Sequence, residues 1–171
     1  MKIGMQTWGS NGDVRPFLAL AGGLTAAGHQ VSLVVTSPEQ RDYKHYGPEM
    51  GIPITQVGKL DPEPAEETIR FFIQKLLHSK NPVNQLDNIL TNLFEPMVPA
   101  MYEASQQLCL ENDAIICHFM HYPAQAAAEK ADLPCSTLML NHSVQIFSSP
   151  RLPESRQAAK PFVVETRQLL G

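Results

Sequence analysis

The amino-terminal segment constrains the fold of this chain more than any other stretch. Residues 2–8 are typical of a short strand, Gly9 and Gly12 interrupt it, and an apolar helix follows from about Phe17 to Leu24. A strand, a glycine-bearing turn and a helix open a doubly wound α/β unit. The turn joins the carboxyl end of the strand to the amino end of the helix, where unpaired N–H groups and the helix dipole favour negative charge. Asp13 lies just inside that helix end, so we expect an ionised carboxylate facing the ligand crevice.

The following residues continue the alternation of strands and helices. Gly28 is a natural helix stop, and the β-branched residues 30–36 predict a buried parallel strand. Residues 37–46 predict a polar helix that ends at Gly47-Pro48. Residues 52–57 predict a short edge strand interrupted by Pro53. The first half therefore reads β-α-β-α-β, with right-handed crossovers expected.

A long helical insert, from about residue 62 to residue 110, separates this half from the remaining strands. Apolar residues recur at helical spacing in it, and Asn81-Pro82 offers an N-cap and a first-turn proline for its second helix. Pro96 and Pro99 are expected to break or kink that helix. Because the insert is longer than a crossover needs, two interpretations stay open: one wall of a pocket, or additional core packing.

The remaining residues predict two more strands, at 113–118 and 134–140, joined by a small-residue helix at 123–130. The expected fold class is therefore α/β, a Rossmann-like doubly wound parallel sheet with helices on both faces and the strand order 3-2-1-4-5. We interpret residues 1–150 as one domain that includes the insert. Residues 151–171 are interpreted as a loop and a terminal helix that lead away from it.

Composition excludes several classes of function. The 171 residues carry a formal net charge of -4, which argues against nucleic acid as a partner because phosphate neutralisation needs a basic face. No apolar run approaches the roughly 20 residues that span a bilayer, and no signal peptide is evident. The three cysteines, Cys109, Cys117 and Cys135, lack metal-type spacing and are expected to be reduced, mostly buried thiols of a cytoplasmic protein.

The first turn is only a fragment of the dinucleotide-binding fingerprint. Gly9 and Gly12 lack the third glycine, and Thr36 and Ser37 occupy the region where an acidic residue is expected after the second strand. The P-loop motif is absent as well. Two alternatives stay open on the residues alone: an NAD(P)-binding oxidoreductase domain, and a non-catalytic α/β module that binds a small molecule.

Two motifs carry a resemblance to a known family. The first runs Gly9-Ser10-x-Gly12-Asp13-Val14-x-Pro16-Phe17-Leu18-Ala19-Leu20, followed by Leu24-x-x-Ala27-Gly28-His29-x-Val31. It resembles the start of two-domain glycosyltransferases with the GT-B fold, most closely the glycosyltransferase family 28 and UDP-glycosyltransferase group. Residues 127–134 resemble the helix that leads to the fifth strand in that family. The sequence departs at Asn11, where arginine is common.

The resemblance implies an activity. Enzymes of this group glycosylate lipids, sterols, macrolides and glycopeptides, and Asp13 falls on the position of the general base that deprotonates the acceptor hydroxyl. The implied reaction is inverting transfer of a hexose from a UDP- or dTDP-sugar, with the nucleotide sugar as co-substrate and no other cofactor. The turn would face the donor and its phosphates through Gly9, Ser10, Asn11 and Gly12. The alternative interpretation of Asp13 is a plain helix-start carboxylate.

The resemblance also implies a partner domain. Such enzymes hold the donor mainly in a C-terminal domain with a His- and Gly-rich motif, and nothing after Pro150 is similar to it. We therefore expect the chain alone to turn over poorly or not at all. A lipid acceptor would bring the protein to a membrane surface, although no basic amphipathic helix indicates one.

The predicted strand order places two further groups of side chains in the crevice. The ends of the first and fourth strands are neighbours at the switch point, so we predict that His118 pairs with Asp13, unless the two lie more than about 7 Å apart. The alternative is a histidine that the strand end merely tolerates. An acceptor pocket is predicted from Trp8, Phe119, Met120, His121, Asn141 and His142. Trp8 alternatively fills the core, and no metal site is expected.

Overall fold

A computed structural model of the chain describes residues 1–39, 41–58, 73–75 and 81–140. Its centre is a five-stranded sheet in the order β3-β2-β1-β4-β5, in which every neighbouring pair is parallel. The strands are β1 (Lys2–Trp8), β2 (Gln30–Thr36), β3 (Ile54–Gln56), β4 (Ala114–His118) and β5 (Cys135–Leu138). The predicted fold class and strand order are confirmed.

Helices connect the strands on both faces of the sheet. They are α1 (Asn11–Ala26), α2 (Tyr46–Met50), α3 (Pro82–Ile89), α4 (Val98–Glu111) and α5 (Tyr122–Lys130). Between α3 and α4 the chain passes through a π-helical turn, Leu90–Phe94, and a 3-10 turn, Glu95–Met97. The predicted break at Pro96 and Pro99 is confirmed, because Pro96 lies in the 3-10 turn and Pro99 in the first turn of α4.

The predicted polar helix over residues 37–46 is wrong. The helix in this region, α2, includes Gly47 and Pro48 and ends at Met50, and Gly51, whose φ is 65°, caps it. The backbone of Arg41 and Tyr43, which precede α2, instead forms hydrogen bonds with the side chain of Gln56 in β3. Gln56 accepts from the Tyr43 N–H at 2.7 Å and donates to the Arg41 carbonyl at 2.7 Å. These bonds compete with helical ones, so the segment stays irregular.

The sheet is covered on both faces by apolar side chains. Toward α1 the core contains Ile3, Met5, Val14, Phe17, Leu18, Ala21, Val31, Leu33 and Val35. Toward α4 and α5 it contains Val34, Leu108, Ile115, Cys117, Ala124 and Ala128. Residues 40, 59–72, 76–80 and 141–171 lie outside the described residues. Most of the predicted first insert helix and the predicted terminal loop and helix fall in these ranges.

A buried polar contact fixes α4 against β1. The Gln6 side chain is fully buried and donates to the Met101 carbonyl at 2.9 Å. The Ser105 hydroxyl lies 2.7 Å from Gln6 Oε1 and 2.7 Å from the same carbonyl. Because buried polar groups must be paired, this contact holds the insert in one position beside the end of β1.

Candidate active site

The turn after β1 holds the Asp13 side chain in a defined position. Ser10 is the N-cap of α1, and its Oγ accepts from the Gly12 N–H at 3.3 Å. Asp13 Oδ2 in return accepts from the Ser10 N–H at 2.8 Å and from the Ser10 hydroxyl at 3.0 Å. This reciprocal arrangement is a capping box. Asp13 is therefore a helix-start carboxylate, and the contact commits one of its two oxygens.

Position 9 must be glycine because the Asp13 carboxylate occupies the space that a side chain would need. Its φ of 136° disfavours any other residue, and a Cβ at this position would lie 2.6 Å from Asp13 Cγ. Gly9 also donates its N–H to the Thr36 carbonyl at 3.0 Å, which ties the turn to the end of β2. A Cβ on Gly12 would meet only the Ser10 hydroxyl, at 3.6 Å. The two glycines of the motif therefore differ in steric role.

His118, the last residue of β4, lies beside Asp13. Its Nε2 is 3.6 Å from Asp13 Oδ1, and the imidazole is 3% exposed. The separation is well inside the limit set for the predicted pair, so the structure does bring the two side chains together. His118 Nδ1 accepts from the Met120 N–H at 3.3 Å, which assigns the hydrogen of the neutral imidazole to Nε2, the atom that faces Asp13.

The environment of Asp13 favours its ionised form. Burial is the largest single influence on its pKa and acts to raise it. The proximity of His118 and the hydrogen bonds from the backbone and hydroxyl of Ser10 act the other way, and together they hold the pKa below its ordinary value. Oδ2 is occupied by Ser10, whereas among the described residues Oδ1 has only His118 at 3.6 Å. Oδ1 is thus the oxygen available to a ligand.

On the insert side of β1, two buried N–H groups have no acceptor among the residues that the structure describes. Trp8 is 6% exposed, and its ring lies edge-on to Phe94 with centroids 5.0 Å apart. His121 is fully buried, and its Nδ1 caps α5 by accepting from the Ala124 N–H at 3.2 Å. Burial first, and the neighbouring His118 second, lower the pKa of His121 to about 3, so its imidazole is neutral with the hydrogen on Nε2. Within the described chain, neither that atom nor Trp8 Nε1 has a hydrogen-bond partner.

The remaining predicted acceptor residues are only partly placed. The Phe119 ring lies 4.6 Å from that of His118, and Met120 packs against the cluster that contains Trp8 and Phe94. Asn141 and His142 lie outside the described residues. Trp8 is buried among Leu90, Leu93, Phe94, Met97, Val98 and Met101, so it packs against the insert.

Two features of the site, the capping box and Phe94, were not predicted from the sequence. The capping box follows the S-x-x-[DE] pattern, and Ser10 to Asp13 fits it, so this signal was present in the sequence. Phe94, whose ring lies 5.0 Å from Trp8 and 6.3 Å from His121, carried no comparable signal. Its position depends on how the insert packs across the end of β1.

Other possible sites are sparse in the part of the chain that the structure describes. No group of three or more histidine, cysteine or acidic side chains there is arranged to hold a metal ion. None of the helices described is long and apolar enough to cross a membrane. An open groove lined by Lys2, His29, Ser32 and Asn112 lies at the amino ends of the strands, opposite the edge where ligands of such sheets bind.

Comparison with known proteins gives a family match over most of the chain. The model of the glycosyltransferase family 28 N-terminal domain matches residues 3–137. A segment of 42 residues is 50% identical to sterol 3-beta-glucosyltransferases of Saccharomyces cerevisiae (strain YJM789) and Kluyveromyces lactis. That segment is 25% of this chain and 3% of either yeast protein.

Solved glycosyltransferases share the fold. The structure of SsfS6 from Streptomyces sp. SF2575, complexed with thymidine diphosphate, aligns with a TM-score of 0.63 at 17% identity and covers 100% of this chain. The calicheamicin glycosyltransferase CalG4 aligns with a TM-score of 0.59 at 14% identity over 96% of this chain. The chain spans 45% of the first protein and 42% of the second.

Proposed function

The chain belongs to the glycosyltransferase family 28 N-terminal domain family, and on that premise we propose that it is the acceptor-binding domain of an inverting hexosyltransferase. The donor in this proposal is a UDP- or dTDP-sugar, and the acceptor is a hydroxyl group of a lipid, sterol or natural product. One observation carries the proposal: at the carboxyl end of β1, Asp13 has one oxygen fixed by Ser10 and the other open beside His118.

Asp13 Oδ1 acts as the general base in this mechanism. It accepts the proton of the acceptor hydroxyl while that oxygen attacks the anomeric carbon from the face opposite the leaving nucleoside diphosphate, which inverts the configuration. The lowered pKa keeps Asp13 ionised at neutral pH but makes it a weak base. Proton transfer therefore accompanies formation of the C–O bond, as the hydroxyl becomes acidic.

His118 is a positioning residue in this scheme. In the neutral imidazole Nε2 already carries the hydrogen, so that atom cannot take the acceptor proton. It instead directs an N–H toward Oδ1, which orients the carboxylate and stabilises its charge. The catalytic role of Asp13 and the supporting role of His118 are both part of the proposal.

The donor phosphates need a second set of contacts. The predicted donor-facing loop uses its Ser10 and Gly12 N–H groups to hold Asp13 and to cap α1, and the Asp13 carboxylate already occupies the positive helix end. We therefore propose that a separate donor-binding domain holds most of the diphosphate. SsfS6, which is similar in fold, was solved with thymidine diphosphate.

The insert side supplies the acceptor contacts in this proposal. An apolar cluster around Phe94, with N–H groups on Trp8 and His121 that find no acceptor in the described part of the chain, suits an apolar molecule that carries an oxygen. Phe119 and Met120 extend this surface toward His118. The match to yeast sterol 3-beta-glucosyltransferases supports an apolar acceptor of that kind.

Replacing Asp13 by asparagine tests the proposal. With the chain joined to a donor-binding domain, we expect Asp13→Asn to lower kcat by about 10²–10⁴-fold, the usual contribution of a general base, while the acceptor Kd changes little. Asparagine keeps an oxygen for the Ser10 contacts, so the turn should persist. Transfer at the wild-type rate by a folded Asp13→Asn protein would remove Asp13 as the base.

Sugar-transfer assays and an NAD(P) titration separate the two alternatives. A non-catalytic module would bind an acceptor equally well with either residue and transfer no sugar in any context. An oxidoreductase domain would bind NAD(P) tightly. That binding would quench the fluorescence of Trp8, the single tryptophan of the chain.

A further inference from the structure

The cysteines form a cluster on the face of the sheet that packs against α4 and α5. Cys117 in β4 is fully buried, Cys135 at the start of β5 is exposed, and their sulfur atoms are 3.8 Å apart. Cys109 of α4 is partly buried and packs against the same core cluster. The expectation of mostly buried thiols is therefore wrong for Cys135.

The two sulfur atoms lie within hydrogen-bonding distance, and burial decides the direction of the bond. Ionisation of Cys117 would place a charge in the core, so this residue stays a thiol and donates its S–H to Cys135. That hydrogen bond lowers the pKa of Cys135 against the opposing effect of burial. The same bond, with burial, raises the pKa of Cys117. The exposed sulfur is thus the nucleophilic one, because the thiolate is the reactive form.

The strand register argues against a disulfide between these two cysteines. Cys135 pairs with Ile115, whereas Cys117 pairs with Thr137, so the cysteines are offset by two residues across the ladder. With strands about 4.8 Å apart and a rise of about 3.3 Å per residue, the Cα atoms are about 8 Å apart. Disulfides need Cα separations of about 4.4–6.8 Å, so closure would require the two strands to shift.

We propose that Cys135 is a modification site that takes up a small thiol from a low-molecular-weight disulfide, while Cys117 stays reduced and activates it. The Cys135 thiolate attacks one sulfur of the disulfide R–S–S–R, a Cys135–S–S–R bond forms, and R–S⁻ leaves. No further oxidant is needed. Because a Cys117–Cys135 disulfide would require β4 and β5 to shift, Cys117 should not displace the small thiol from Cys135, and the mixed disulfide should persist until an external thiol removes it.

Oxidised glutathione is the probe for the test, applied to the folded chain at neutral pH with the adducts located by mass spectrometry. We expect one glutathione at Cys135, formed several-fold faster than any adduct at Cys109. Cys117→Ala should slow the reaction about threefold or more and move the midpoint of its pH–rate profile upward, since fewer thiolates form. Cys117→Ser keeps a donor and should keep the rate, and Cys109→Ser should leave it unchanged.

Three results would overturn the proposal: an internal Cys117–Cys135 disulfide as the main product, faster reaction at Cys109, or an unchanged rate in folded Cys117→Ala. If Cys117→Ala does not fold, the wild-type pH–rate profile decides. A midpoint below the ordinary cysteine value of about 8.5 supports activation of Cys135, and a midpoint at or above that value overturns it.

Discussion

The carboxyl end of β1 has a turn side, which contains Ser10, Asp13 and His118, and an insert side, which contains Trp8, Phe94 and His121. The two sides differ in how their polar groups are paired. On the turn side, Asp13 contacts both Ser10 and His118, and one carboxylate oxygen is left open. On the insert side, the N–H groups of Trp8 and His121 lie at an apolar cluster and have no acceptor within the described ranges of the chain. Contacts between polar side chains hold the Asp13 charge in place, whereas a buried N–H group without an acceptor is stabilised more when a ligand oxygen binds to it. We infer that proton transfer takes place on the turn side and that the acceptor is bound on the insert side.

The two histidines show how local structure creates this difference. His118 and His121 are three residues apart, and each accepts a backbone N–H at Nδ1. His118 ends a strand and directs Nε2 to Asp13, while His121 caps α5 in the fully buried interior. Identical side chains with the same tautomer thus face a carboxylate in one case and an apolar cluster in the other.

Gly9→Ala gives the largest expected effect on the turn side. The added Cβ collides with the Asp13 carboxylate and the positive φ is strained, so we expect the free energy of unfolding to fall by at least about 2 kcal/mol. Urea denaturation measures this change. The matched control is Gly23→Ala inside helix α1, where no atom of the described residues outside the helix's own backbone lies within 4 Å of the added Cβ. It should stabilise by about 0.5–1 kcal/mol. Equal effects would contradict the assigned role of Gly9.

Ser10→Ala should have a smaller effect on the same side. It removes the hydroxyl that caps α1 and contacts Asp13, and losing a serine N-cap costs about 1 kcal/mol. The Asp13 pKa should rise as well, because one of the contacts that lowers it is gone. Urea denaturation at neutral pH and an NMR titration of the Asp13 carboxyl measure the two changes. An unchanged pKa would show that the Ser10 hydroxyl does not help to hold the carboxylate.

Trp8→Phe tests the insert side and should affect folding least. Phenylalanine keeps an aromatic ring against Phe94, and the lost indole N–H has no hydrogen-bond partner within the described residues. We expect a change in stability below about 1.5 kcal/mol. Binding of an oxygen-bearing acceptor should weaken by up to about tenfold, as for one lost hydrogen bond. Calorimetric titration compares the variant with wild type, and unchanged affinity would contradict a binding role for the N–H.

The features that the sequence predicts correctly follow from the topology of the sheet. The alternation of strands and helices predicts a doubly wound parallel sheet, and the order β3-β2-β1-β4-β5, which is common for such sheets, brings Asp13 and His118 to one crevice. Side-chain bonds between distant segments escaped prediction. Gln56 prevents a helix near Tyr43, and the Met120 N–H determines the tautomer of His118. Such contacts leave no periodic pattern in a sequence, because they depend on packing that only the folded chain supplies.

The central claim is that Ser10 and His118 hold Asp13 as a carboxylate, and a titration of the Asp13 carboxyl carbon by NMR tests it most directly. A group whose pKa is lower in the folded than in the unfolded chain stabilises the fold above its unfolded pKa, and this contribution is lost as pH falls through its folded pKa. We predict a midpoint below the ordinary aspartate value of about 3.9, higher in His118→Leu, and a loss of stability confined to pH below about 4. A midpoint at or above the ordinary value, unmoved by His118→Leu, would contradict the account.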